Sequence, residues 1–154
     1  MKKTVWIVLL FILLVVLILL LSRCNQSEIN GTLPIDSNAQ VWEGNQNLHK
    51  PSDTKEIAIP GFTHLSFLAD SIEQQVNFYN PANNDCLFVF SLYVDNTLLW
   101  RSGYCPAGNG YYSIQLLESL QRGHYNAVLK IECYRENGEQ LNGARIPFDL
   151  TVEE

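Results

Sequence analysis

The stretch GHYNAVLKIECY, residues 123–134, alternates strictly, with Tyr125, Ala127, Leu129, Ile131 and Cys133 set against Asn126, Val128, Lys130 and Glu132. Successive side chains of a strand point to opposite faces, so this stretch predicts a strand with one face in a core and one toward water. Upstream, CLFVFSLYVD (86–95) places Cys86, Phe88, Phe90, Leu92 and Val94 together, and we assign that face to the same core. Leu87, Val89, Ser91, Tyr93 and Asp95 take the opposite face. Working outward, EIAIPG (56–61), THLSFLA (63–69), QQVNFYN (74–80), TLLWRSG (97–103), YYSIQLLE (111–118) and ARIPFDLTVE (144–153) are also strand-like. PANND, VDNT, CPAGNG, RENGEQ and LNGA punctuate them, with Asn and Gly suited to positive-φ turn positions. Seven or eight short strands with turns at this spacing predict an all-β antiparallel β-sandwich over residues 55–154. No internal repeat appears, so one such domain is expected.

Ahead of the 123–134 strand stands LQRGHY, with Leu120, Gly123 and Tyr125. Its spacing resembles the tyrosine corner of immunoglobulin-like and fibronectin-like sandwiches, in which a Tyr at the start of a late strand bonds back to upstream backbone. The pattern departs from antibody domains because Cys133 lies well beyond Tyr125 and Trp100 falls in the segment after Cys86.

The N-terminus obeys different rules. Val5 to Ser22 is a run of 18 residues without charge, Gly or Pro. As a helix it would extend about 27 Å, close to a hydrocarbon core of about 30 Å. Cleavable signal peptides carry shorter apolar regions and a small-x-small site, whereas Ser22-Arg23-Cys24 is a poor match. Arg23 also departs from the small residue that lipidation at Cys24 requires. We read residues 1–24 as a retained transmembrane signal-anchor, with lipidation or cleavage as the alternatives. Lys2 and Lys3 outweigh Arg23, which predicts a cytoplasmic N-terminus and a single-pass plasma-membrane protein with an extracellular C-terminal domain. Residues 25–54, NQSEINGTLPIDSNAQVWEGNQNLHKPSDT, are rich in polar and turn-forming types and read as a flexible extracytoplasmic linker. Val41-Trp42 is either an apolar hook that docks on the domain or an incidental pair.

Of ten Lys and Arg, three (Lys2, Lys3 and Arg23) precede Cys24, while all sixteen acids follow it, so the exported part carries nine excess negative charges. Such a surface repels phosphate backbones and argues against nucleic-acid partners. The expected contacts are the membrane, through residues 5–22, and an unknown protein or glycan.

A wider resemblance rests on IPGFTHLSFLADSIEQQVNFYNPANNDCLFVFSLYVD, LWRSGYCPAGNGYYSIQL, GHYNAVLKIECY and LNGARIPFDLTVE. These resemble small membrane-anchored exported proteins of low-GC Gram-positive bacteria, often carried on conjugative elements and without an established function. The resemblance implies an Ig-like β-sandwich behind an N-terminal anchor and supplies no catalytic residues; Cys105 in the YCPAGNG turn departs from it.

Residue by residue, the chain offers no chemistry-bearing motif. His49, His64 and His124 stand apart without metal-ligand spacing, no Ser lies in a nucleophile-elbow context, and AGNG precedes a strand rather than a helix. No catalytic, cofactor or metal residues are expected, and no cofactor. Trp100, Tyr104, Tyr111 and Tyr112 surround the SGYCPAGNG turn and read either as a contact surface or as cover for the core and a sheet face. Cys86 and Cys133 share the core faces of their strands, and export favours a disulfide between them, reduced core thiols being the alternative. Cys105, in a turn, is expected to be free or intermolecular. The functional expectation is a membrane-tethered, non-enzymatic binding or scaffold module, or else an accessory subunit of a conjugation or secretion apparatus.

Overall fold

A computed structural model of the chain describes residues 33–44, 57–61 and 64–154. These fall within one compact unit, Thr32–Glu154. The anchor expected at 1–24, Cys24, His49 and much of the expected linker lie outside the described residues, among which no helix is long and apolar enough to cross a membrane.

Among the described residues eight strands form two sheets: β1 (Gln40–Val41), β2 (His64–Leu68), β3 (Glu73–Tyr79), β4 (Leu87–Val94), β5 (Thr97–Arg101), β6 (Asn109–Gln115), β7 (Gly123–Tyr134) and β8 (Ala144–Glu153). One sheet runs β1-β6-β3 and the other β2-β8-β7-β4-β5. Pairing is antiparallel except between β2 and β8, which run parallel. The architecture is therefore the expected all-β, two-sheet sandwich.

The alternation in β7 holds: Ala127, Leu129, Ile131 and Cys133 are buried, and the residues between them are only half-buried. On β4 the assigned face is also core, with Phe88, Phe90 and Leu92 fully enclosed. Phe90 makes ring contacts with Phe78, Phe88 and Tyr111, which closes the space between the sheets. The opposite face of β4 is buried too. Glu132 bridges Arg101 at 2.7 Å and Lys130 at 3.0 Å, and Arg101 donates to Ser91 Oγ at 3.0 Å, so long side chains from neighbouring strands roof the centre of the sheet.

Turn chemistry explains the connections. Asp95 and Asn96, with φ of 46° and 68°, join β4 to β5 in a two-residue loop, where a primed turn requires positive φ at both positions. EIAIPG forms no strand over its described residues, Ile57–Gly61. The Asn84 side-chain amide instead takes the place of a neighbouring strand, accepting from Ala58 N at 2.8 Å and donating to Ala58 O at 2.9 Å.

Two buried amides on or beside β3 tie the sheets together. Gln74 accepts from Leu68 N and donates to Leu68 O, holding the end of β2, and also donates to Ser71 O. Beyond the other end, Asn80 donates through Nδ2 to Cys86 O at 2.8 Å and Cys105 O at 3.0 Å while accepting from Asn84 Nδ2 at 2.8 Å. The strand-like pattern of QQVNFYN gives no sign of either amide's role.

Tyr125, at the start of β7, donates its hydroxyl to Gln121 O at 2.8 Å. Tyr125→Phe removes that bond and little packing, so a loss of about 1 kcal/mol is expected in denaturant unfolding. A change below a few tenths would mean that the corner does not brace the β6–β7 connection.

Candidate functional site

The segment 33–44 was expected to belong to a flexible linker, yet its described residues are docked on the sandwich as a strap. Ile35 pairs with Tyr104, and β1 adds to β6 with Gln40 opposite Gly110 and Val41 opposite Asn109. Local patterning is too short to reveal such docking, because the partners are distant in sequence. Asp36 is the pin. Its backbone N–H donates to Tyr104 O, Oδ2 accepts from Gly103 N at 2.8 Å and the Tyr111 hydroxyl at 2.9 Å, and Oδ1 accepts from Asn38 N at 2.9 Å. Partial burial pushes the Asp36 carboxyl pKa up, but the donors from Asn38, Gly103 and Tyr111 together outweigh that and hold it below its ordinary value.

Trp42 is the second fastening, which resolves the Val41-Trp42 question in favour of docking. Its indole packs nearly parallel to Tyr79, centroids 4.9 Å apart, and to Tyr112, centroids 4.5 Å apart. The Tyr112 hydroxyl accepts from Glu43 N at 2.8 Å. Gly110 lies beneath the stack. A Cβ there would meet Phe78 O at 2.6 Å, Tyr79 Cβ at 2.7 Å and the Trp42 ring at 2.9 Å, so the close approach requires glycine.

The four aromatics expected around the SGYCPAGNG turn do not form one surface. Tyr111 is 2% exposed and points into the core, where burial above all raises its hydroxyl pKa, assisted by Cys105 and Asp36. Trp100 is half-buried, edge-on to Tyr111 at 5.1 Å. Tyr104 sits edge-on to Tyr134 at 5.4 Å. Tyr112 alone is exposed, and its ring carries Trp42. The covering role thus accounts for three of the four; Trp42, read in the sequence as a possible docking hook, packs on Tyr79 and Tyr112, and of these Tyr79 alone carried no expectation.

The structure holds Cys86, Cys105 and Cys133 as buried free thiols. The expected Cys86–Cys133 disulfide is not formed. Cys133 pairs with Phe88, whereas Cys86 lies in the bend just before β4, outside the paired register. Instead the thiols hydrogen-bond: that contact lowers the Cys86 pKa and, with burial, raises that of Cys133. Cys105 is fully enclosed rather than available to another chain, and burial pushes its thiol up to about 12. Alkylation of the native protein at pH 8 should therefore spare all three, whereas unfolding should expose them. Rapid native labelling of Cys105 would contradict its placement.

Beside the strap runs a cleft of about 350 Å³. Its lining includes Asp36 and Gln40 of the strap, Tyr112, Ser113 and Gln115 of β6, Trp100 and Arg101 of β5, and Glu73 of β3. β6 pairs with β3 from Gly110 to Gln115 but with β1 only through Asn109 and Gly110. Among the described residues nothing pairs with the β1-side edge of β6 after Gly110.

A shallower depression on the outer face of the larger sheet brings together His64, His124, Asn126, Asp149 and Thr151. His64 contacts Ser66 Oγ at 3.3 Å and His124 contacts Thr151 Oγ1 at 3.2 Å. No group of three or more His, Cys, Asp or Glu is placed to hold a metal ion among the described residues.

What stands defined is a two-sheet all-β sandwich with a strapped sheet edge. No protein-family model matches the chain, and neither the curated proteins nor the solved structures yield a significant match.

Proposed function

We propose that the chain is a membrane-tethered, extracytoplasmic binding or scaffold module, non-enzymatic, that presents an Ig-like β-sandwich from an N-terminal anchor at residues 5–22. The Ig-like assignment is supported by the order β2-β8-β7-β4-β5, the parallel β2–β8 pair and the Tyr125 to Gln121 bond. The apolar run, the Lys2 and Lys3 bias and the acidity of everything after Arg23 support the tether and its orientation. The likeness to anchored proteins of Gram-positive conjugative elements agrees with this placement and rests on the sequence motifs alone.

The observation that carries the binding role is the cleft beside β6, where an unpaired strand edge, a half-buried Trp and uncommitted polar side chains converge. A photo-crosslinking residue at Gln115 tests it in intact cells. Irradiation should capture a discrete partner, while the same residue at Asn137, on the β7–β8 turn, should not. Equal capture at both positions, or none at Gln115, would contradict the role.

A further inference from the structure

The geometry points to the β1-side edge of β6, Tyr111–Gln115, as an acceptor for an extended basic peptide that adds as a strand in continuation of β1. This deepens the binding role proposed above and rests on it. Strand edges present backbone donors and acceptors in a row, and proteins generally block them with Lys, Pro or a covering element. β6 carries no Lys, Arg or Pro, and its covering strand stops after two residues because the chain turns away at Asp36–Ala39, where Ala39 N donates to Asp36 O at 3.1 Å. A five-residue edge spans about 17 Å, enough for a short peptide strand. β1 already shows that this edge accepts an antiparallel neighbour.

The walls select the occupant. The Arg101 charge is met by Glu132 at 2.7 Å, and the Asp36 oxygens are taken up by Asn38, Gly103 and Tyr111. Glu73, exposed on the cleft and opposite Gln115 on β3, has no ion-pair partner among the described residues. An incoming strand thus finds backbone pairing along β6, the half-buried Trp100 for an apolar side chain and Glu73 for a Lys or Arg. The acidity of the chain after Arg23 disfavours a second copy in the same place.

The test pans a displayed library of short random peptides on the full chain in lipid nanodiscs, then synthesises enriched sequences for affinity measurement. Enriched peptides should alternate apolar and polar residues and carry a Lys or Arg. Backbone N-methylation at alternate residues should weaken them at least about tenfold, with methylation at the intervening residues nearly silent, because only one set of amides faces β6. Glu73→Lys, an exposed change, should weaken them about tenfold. No enrichment over an unrelated control protein would overturn the inference. So would affinity indifferent to methyl position, or dimers of the chain dissolved by Ser113→Lys. Because nanodisc binding does not depend on orientation in cells, a failure here leaves the cellular capture at Gln115 to decide the broader role.

Discussion

Asn80→Ala should be among the most damaging single substitutions in the sandwich, lowering unfolding free energy by about 3–4 kcal/mol. Asn80 is completely buried, and its amide serves Cys86 O, Cys105 O and Asn84 Nδ2. Its backbone donates to Asn109 O and accepts from Gly108 N, each at 2.8 Å. Truncation strands two buried carbonyls and frees Asn84, which in turn loses its grip on Ala58. Each orphaned buried group costs about 1–3 kcal/mol, less than additively because one network is lost. Asn80→Asp keeps the shape but replaces two donors with a buried charge, so it should be at least as harmful. Chemical denaturation of both variants checks this; a loss below 1 kcal/mol would mean that waters replace the amide.

The second large effect belongs to the strap. Trp42→Ala removes both aromatic contacts, and Asp36→Ala removes the acceptor for Gly103, Tyr111 and Asn38, so each should weaken docking by about 2–3 kcal/mol after allowance for partial exposure. Hydrogen exchange reads this locally. The amides of Asp36 and Trp42, bonded to Tyr104 O and Gly108 O, should lose about 30-fold or more in protection while β7 and β8 amides keep theirs. Equal loss throughout would show that the strap and the sandwich unfold as one unit. pH acts on the same contact. The folded Asp36 carboxyl has a lowered pKa, so its contribution is complete above the unfolded value of about 3.9 and disappears as pH falls through the folded value. Strap protection should hold from neutrality down to about pH 5 and collapse below about pH 4, and Asp36→Asn should flatten that profile.

Strand periodicity carried much of the fold because β7 and the inner face of β4 bury every second residue. Positive-φ turns were equally legible: Asp95-Asn96 announces its hairpin by composition. What escaped were interactions whose partners lie far apart. Asp36 reaches Gly103 and Tyr111, and Trp42 reaches Tyr79, so a segment polar enough to read as linker became part of the sandwich. Ile57–Gly61 failed in the opposite sense, since a side-chain amide satisfies its backbone where a strand was expected. The aromatic cluster misled because Tyr111 and Tyr112, adjacent in sequence, take opposite faces of β6. The Cys86 and Cys133 thiols were placed on the core side, where both are buried, but that Cys86 falls in a bend before β4 has no signature in the alternation. The cleft depends on where β1 ends, a feature with no local signature.

The proposal that the sandwich is displayed outside the membrane is tested most directly by protease treatment of intact cells carrying the full chain with an N-terminal epitope. The sandwich should be digested while a short fragment retaining the epitope and residues 1–22 stays protected in the membrane. A sandwich that resists protease until the cells are permeabilised, but is then digested, or a mature chain that begins at or after Cys24, would contradict it.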